Sequence, residues 1–213
     1  MLFQPDRYLL KKQIKNNSHF ISGIVLDAGS GDGNRYKSFF KFEKYLTLDI
    51  RPDSGTDIVG SVENIPFETG SIDSIISTQV LEHVKNPAKA VREFYRILKS
   101  GGYCLITAPQ LNELHEEPHD YFRFTKYGLE EIFSHAGFKI ILMERRGGFW
   151  VANAQMKVRY FIDLFNLNRR LWLAKIFNLF FLIGGHLSIW IDKLDKSKAN
   201  KKHTLGWLII AQK

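Results

Sequence analysis

Apolar positions in the first two thirds of the chain gather into short runs, each ended by an acid, a glycine or a proline and separated by segments of helical period. The first run, GIVLDAG at residues 23–29, reads as a buried parallel strand entering a tight turn. The pattern then predicts a helix over residues 35–42 and strands over 45–50, 56–60 (a weak one), 71–78 and 103–109, with a helix over 86–102 closed by glycines. The stretch from Asp49 to Ile58 is too short for the helix that normally joins parallel strands, so an abbreviated loop is expected there. Beyond a polar loop at 110–120, Thr125 caps a helix that Gly137 ends. KIILMERRGG and LGWLIIAQK read as strands six and seven. The alternation predicts an α/β fold: seven strands in one mostly parallel sheet, helices on both faces, and ligands at the carboxyl ends of the strands. A helical, basic and apolar insertion, residues 149–204, precedes the last strand of what reads as a single domain over 1–213.

Composition narrows this picture little. A chain of 213 residues with 45% apolar and 24% charged positions has ordinary globular usage. Cys104 is the only cysteine, which excludes an intramolecular disulfide and a cysteine-clustered metal site and fits a reducing compartment. Charges interrupt the first seventeen residues, so no secretory signal is read and a cytoplasmic location is expected. The net charge of +8 is localised: residues 1–150 hold 19 Lys+Arg and 19 Asp+Glu, whereas residues 151–213 hold 11 and 3. The neutral first part argues against nucleic acid as a partner.

The candidate chemistry starts at Asp27-Ala28-Gly29-Ser30-Gly31-Asp32-Gly33-Asn34. Its glycines are spaced G-x-G-x-G, with Asn34 where a dinucleotide turn would carry its third glycine. An acid beside closely approaching glycine backbone suits a ligand of mixed charge better than a pyrophosphate. Asp49, at the end of the second strand, can accept two hydrogen bonds from a ribose diol; alone it reads equally well as a turn or cap residue, and the glycine turn gives it weight.

IVLDAGSGDGNRY, together with GSVENIPFETGSIDSIISTQVLEHVKNPAKAVREFYRILKSGGYCLITAP, resembles the class I S-adenosylmethionine-dependent methyltransferases, in particular the type related to ubiquinone- and menaquinone-biosynthesis enzymes, over roughly residues 22–145. The resemblance implies a Rossmann-like fold, S-adenosylmethionine as methyl donor, and methyl transfer as the activity. It also implies that Gly29, Gly31 and Gly33 line the methionine and ribose and that Asp27 orients the amino end. Asp49 would then hold the ribose hydroxyls, Ile50 pack on adenine, Ser61 and Val62 meet the adenine edge, and Gln79 close the pocket. Ser61 departs from the Asp often found there, which passes the adenine amino contact to backbone.

Methyl transfer needs approach geometry and, for a hydroxyl acceptor, a base. The loop LHEEPHDYFRFT offers His115, His119 and Asp120; the alternative is that these residues pin the loop while its aromatics fill core. No metal is expected, because Pro118 disrupts the helix that would align His115, Glu116 and His119, and His83 is read as packing behind the ligand or capping the strand end. In the insertion, the apolar segment 171–191 reads as two short helices folded back at Gly184-Gly185, with basic residues between 169 and 202 around them. That composition suits an anionic membrane surface or a lipid-linked acceptor; a helical cap on the sheet or a homodimer interface fits equally. The acceptor is therefore expected to be a small or lipid-linked molecule, such as a glycan or quinone-like hydroxyl. An RNA methyltransferase and a non-catalytic donor-binding module are the alternatives.

Overall fold

The computed structural model describes residues 2–31 and 35–213. Two compact units make up the chain: one is Ile14–Pro109 with Leu114–Glu144 and Trp207–Lys213, and the other is the N-terminal stretch up to Gln13 with Gln110–Glu113 and Arg145–Gly206.

The first unit is built on seven strands: β1 (Ile24–Ala28), β2 (Lys44–Asp49), β3 (Ile58–Val59), β4 (Ile72–Thr78), β5 (Leu98–Pro109), β6 (Lys139–Arg145) and β7 (Gly206–Gln212). They form one sheet in the order β3-β2-β1-β4-β5-β7-β6. The β1–β2, β1–β4, β2–β3 and β4–β5 pairs are all parallel. The order reverses at β1, where β2 lies on one side and β4 on the other, so the turn leaving β1 stands at the switch point where open α/β sheets bind ligands.

Helix α2 (Pro87–Ile97) shows why the strands stay buried. Asn86 caps it by accepting the Lys89 N–H at 3.0 Å, and Pro87 occupies the first turn, where no amide partner is needed. Ala90, Val91, Phe94 and Ile97 then fall on one face and join Leu26, Ile75 and Ile106 in the main core. Helix α3 (Lys126–His135) starts as expected, with Thr125 accepting the Gly128 N–H at 3.1 Å, and adds Leu129 and Phe133 to that core.

Two local expectations change. The segment over 35–42 is no α-helix; its described part holds only a 3-10 turn at Lys37–Phe39. Tyr36 and Phe40 alone are buried there, and the chain must enter β2 at once, with the Glu43 N–H already on Gly23 O at 2.9 Å. The helix predicted to run to 102 stops at Ile97, because β5 starts at Leu98 through a register shift at Ile72/Ser74. The abbreviated crossover after Asp49 is present: Asp57 accepts both the N–H and the hydroxyl of Thr47, at 2.9 and 2.7 Å, and clasps the short loop shut.

The second unit holds α1 (Pro5–Asn16, through Gln13), α4 (Phe149–Leu164), α5 (Leu171–Leu194) and α6 (Lys198–Lys201). Arg146 is buried at its centre and donates from Nε to Asp6 at 2.6 Å. Asn200, also buried, accepts the Phe149 N–H at 2.7 Å and donates to Asp195 O at 2.9 Å. The two helices expected to fold back at Gly184-Gly185 are instead one continuous helix of 24 residues. Gly185 serves packing rather than a turn: a side chain there would collide with the Phe3 ring, which rests on it.

Candidate active site

Strand β1 ends in Asp27 and Ala28, and the chain then turns through glycines that no other residue replaces easily. Gly29 sits at φ +77°, and a Cβ there would lie 2.5 Å from Val80 Cγ2. Its N–H and that of Ser30 donate to Leu48 O at 2.7 and 3.1 Å, so the turn is stitched to β2. Ser77, fully buried on β4, donates to Ala28 O at 2.7 Å from the other side. The Ser30 hydroxyl is buried with no hydrogen-bond partner among the described residues, the feature expected where a ligand's polar group completes the turn. Gly33 lies outside the described residues.

Asp49 closes β2 facing this turn. Its Oδ2 accepts the Gly31 N–H at 2.8 Å, and its Oδ1 accepts the backbone and Nε of Arg51 at 3.0 and 3.1 Å. A carboxylate offers about four acceptor positions. The Arg51 side chain is 54% exposed and occupies Oδ1, whereas Oδ2 keeps one acceptor position beyond the Gly31 N–H. The Gly60 N–H donates to Asp49 O at 2.9 Å, which puts Ser61 and buried Val62 on the same sheet edge. Ile50 stands exposed beside Asp49. Gln79, at φ +56°, donates from its backbone to Thr107 O at 3.0 Å and from Nε2 to Thr107 Oγ1 at 3.1 Å. The described residues expected to hold the cofactor are therefore gathered at the carboxyl edge of β1, β2, β3 and β4.

Burial pushes the Asp27 carboxyl up to about 6, against the opposing effect of the Tyr45 hydroxyl, which donates to it at 2.8 Å; the nearby Asp49 charge raises it further. Tyr45 pairs with Val25 in the register, so it lies diagonally from Asp27 on the same sheet face. Its own phenol is pushed far above the ordinary range by burial and by the Asp27 carboxylate.

The expected base residues divide. Asp120 accepts the His115 N–H at 3.0 Å and both terminal nitrogens of Arg123 at 2.7 and 2.8 Å, and the Arg123 guanidinium holds its carboxyl well below the usual range. The His115 Nδ1 lies 3.3 Å from Asp120. The His119 ring instead meets the Tyr121 hydroxyl at 3.0 Å, while its carbonyl accepts His83 Nδ1 at 2.7 Å. His83, expected behind the ligand, has its ring edge-on to His115 with centroids 4.7 Å apart. A carbonyl oxygen only accepts, so His83 carries a proton on Nδ1, and its Nε2 lies 3.9 Å from the Glu82 carboxylate. The ligating atoms of Glu82, His83 and His115 lie within 4.8 Å of one another, a spacing compatible with a cation although no metal was expected.

Sequence reasoning missed Tyr45 and the pairing of His83 with His115. Tyr45 shares a face with Asp27 only once the register is known, and the separation of the two histidines along the chain hides their contact.

Residues 26–106 match the methyltransferase domain family. An uncharacterized protein of Methanocaldococcus jannaschii is 31% identical over 150 residues, covering 66% of this chain and 64% of that one. The 2-methyl-6-phytyl-1,4-hydroquinone methyltransferase of Arabidopsis thaliana is 30% identical over 146 residues, covering 59% and 43%. The chain thus spans less than two thirds of the length of these curated relatives. Among solved structures, an S-adenosylmethionine-dependent methyltransferase from Archaeoglobus fulgidus superposes with a TM-score of 0.60 at 14% identity, covering 97% of this chain and 94% of that one. Phosphoethanolamine N-methyltransferase 2 of Haemonchus contortus, solved with S-adenosyl-L-methionine, also reaches 0.60, at 21% identity and covering 97% and 52%. The [4+2]-cyclase SpnF reaches 0.59 at 17% identity, covering 98% and 81%, so this fold also carries other chemistry. The match over residues 26–106, with the glycine turn at the switch point and the strand-terminal Asp49, identifies a methyltransferase domain of the class I S-adenosylmethionine-dependent type within this chain.

Proposed function

We propose that this protein transfers the methyl group of S-adenosylmethionine to a hydroxyl of a small-molecule or lipid-linked acceptor, such as a glycan or a quinone-like phenol. The observation that carries the reading is the Asp49 carboxylate at the end of β2, held against the Gly31 N–H of the glycine turn, the place where a strand-terminal acid meets a ribose diol. Ile50 supplies an apolar face for the base, Asp27 a carboxylate for the ammonium, and the Ser30 hydroxyl a polar group at the turn.

When bound, the donor supplies a methyl carbon whose leaving group is a neutral thioether, so the protein needs little more than alignment and proton removal. His115 is suited to removing the proton, since Asp120 orients its ring and stabilises the imidazolium that forms when Nε2 takes it from the acceptor. His83, fixed by His119 O, is the adjacent base. The likeness to a methyltransferase acting on a phytyl-bearing hydroquinone supports an acceptor that joins a ring hydroxyl to a hydrocarbon tail.

The test is calorimetry of S-adenosylmethionine and its demethylated product against wild type and Asp49→Ala, followed by transfer of labelled methyl into fractionated cell extract. Loss of two hydrogen bonds to a charged group corresponds to about 2–3 kcal/mol, a ~30- to 150-fold weaker Kd. Equal affinities would remove Asp49 from the site, and label recovered in RNA rather than in the small-molecule or lipid fraction would replace the acceptor class.

A further inference from the structure

Helix α5 carries apolar residues on two sides: Phe181 and Ile189 are buried in its own unit together with a few polar anchors, and a second apolar stripe faces solvent. Asn178 accepts the Phe3 N–H at 2.7 Å, the Ser188 hydroxyl donates to Gly185 O at 2.8 Å, and the His186 ring packs on Phe3 and Tyr8. Asp192 accepts the N–H groups of Gly148 and Trp150. On the opposite side, Trp172, Ile176, Phe180, Ile183, Leu187 and Trp190 recur every three or four residues, and each is 51–69% exposed. The stripe runs for about 27 Å at 1.5 Å per residue, with a tryptophan near each end.

Charge identifies what covers it. Arg169 and Arg170 precede α5, and Lys193, Lys196, Lys201 and Lys202 follow the stripe. Residues 151–213 contain only three acidic side chains, and two of them, Asp192 and Asp195, are engaged by Gly148, Trp150 and Ser197. A second copy docked face to face would bring two such basic rims together, whereas an anionic bilayer complements both the stripe and the rim.

We infer that α5 lies in the plane of an anionic membrane surface, with the tryptophans at headgroup depth and the lysines on the phosphates. The helix is apolar and long enough to cross a bilayer, yet its inner face carries Asn178, Ser188 and Asp192 hydrogen-bonded within its own unit. Its flanking strands β6 and β7 are also neighbours in one sheet, so a single crossing is topologically closed to it. A docking helix of this kind brings the protein to lipid-linked molecules, and it stands whether or not the methyl acceptor is one.

Flotation of the full chain tests it, with vesicles of phosphatidylcholine alone or mixed with phosphatidylglycerol. Wild type should float with the mixed vesicles, less so at raised salt, and the Ile183→Gln/Leu187→Gln double variant should partition at least about tenfold less. Both positions are exposed, so its melting curve should match wild type; Tyr127→Gln, at an exposed position on α3, should float unchanged. Equal flotation with both vesicle types, or by wild type and the double variant, would overturn the inference. So would a dimer that the double variant dissociates without any wild-type vesicle binding. None of these readouts uses the methyl donor, so they fail or succeed separately from the calorimetry.

Discussion

In the site proposed above, Asp27 sets folding and donor binding against each other. Its carboxyl is raised from 3.8 to about 6 in the folded protein. At 1.36 kcal/mol per pH unit, ionising it there costs about 3 kcal/mol more than in the unfolded chain. The unfolded chain loses this proton near pH 4 and the folded chain near pH 6, so the contribution to stability falls as pH rises through that window and stays low above it. Asp27→Asn keeps an acceptor for the Tyr45 hydroxyl and removes the cost. The variant should therefore be more stable than wild type at pH 7.5 by up to about 3 kcal/mol, and nearly equal to it below pH 4. Binding of an ammonium-bearing donor has the opposite demand, because it needs the carboxylate. Below pH 6 affinity for S-adenosylmethionine should drop about tenfold per pH unit, with close to one proton released on binding at pH 5, whereas Asp27→Asn should bind weakly with a flat profile. Calorimetry in buffers of different ionisation enthalpy reads both quantities. A wild-type affinity constant from pH 7.5 to 5, with no proton released, would show that Asp27 does not meet the donor's cation.

His115→Ala should lower kcat by about 10²- to 10⁴-fold and leave the donor Kd unchanged, whereas His119→Ala, whose ring faces Tyr121, should retain most activity; steady-state kinetics of the two variants discriminates them. Gly29→Ala should destabilise the fold by about 2–4 kcal/mol, since it combines a positive φ with a Cβ in contact with Val80. Adding Val80→Ala should recover the steric part only, which urea unfolding will measure.

Strands β1, β4 and β7 were legible because each is a mostly buried apolar run, and burial on both sheet faces erases any competing periodicity. The turn after β1 was legible for a related reason: Gly29 and Gly31 take positive φ, which favours backbone without side chains. What escaped the sequence depends on contacts across it. Residues 35–42 carry aromatic residues at helical spacing, but the chain has to reach β2 before a helix can complete. Gly184-Gly185 looks like a break until Phe3, from the opposite end of the chain, is seen to rest on the helix. His83 stands in the short segment VLEHV after β4, while its partners His115 and His119 come from the loop after β5, a contact that sequence spacing does not reveal.

The helical segment between β6 and β7 departs and returns at almost one point: the Arg146 N–H donates to Gly206 O at 2.8 Å, and the Leu205 N–H donates to Arg146 O at 3.0 Å. The two ends of the segment are thus already hydrogen-bonded to each other. Shortening, lengthening or exchanging it carries little loop-closure entropy and leaves the strand register untouched. Such a junction is a natural graft point, at which the segment can be exchanged while the strands on either side of it keep their pairing.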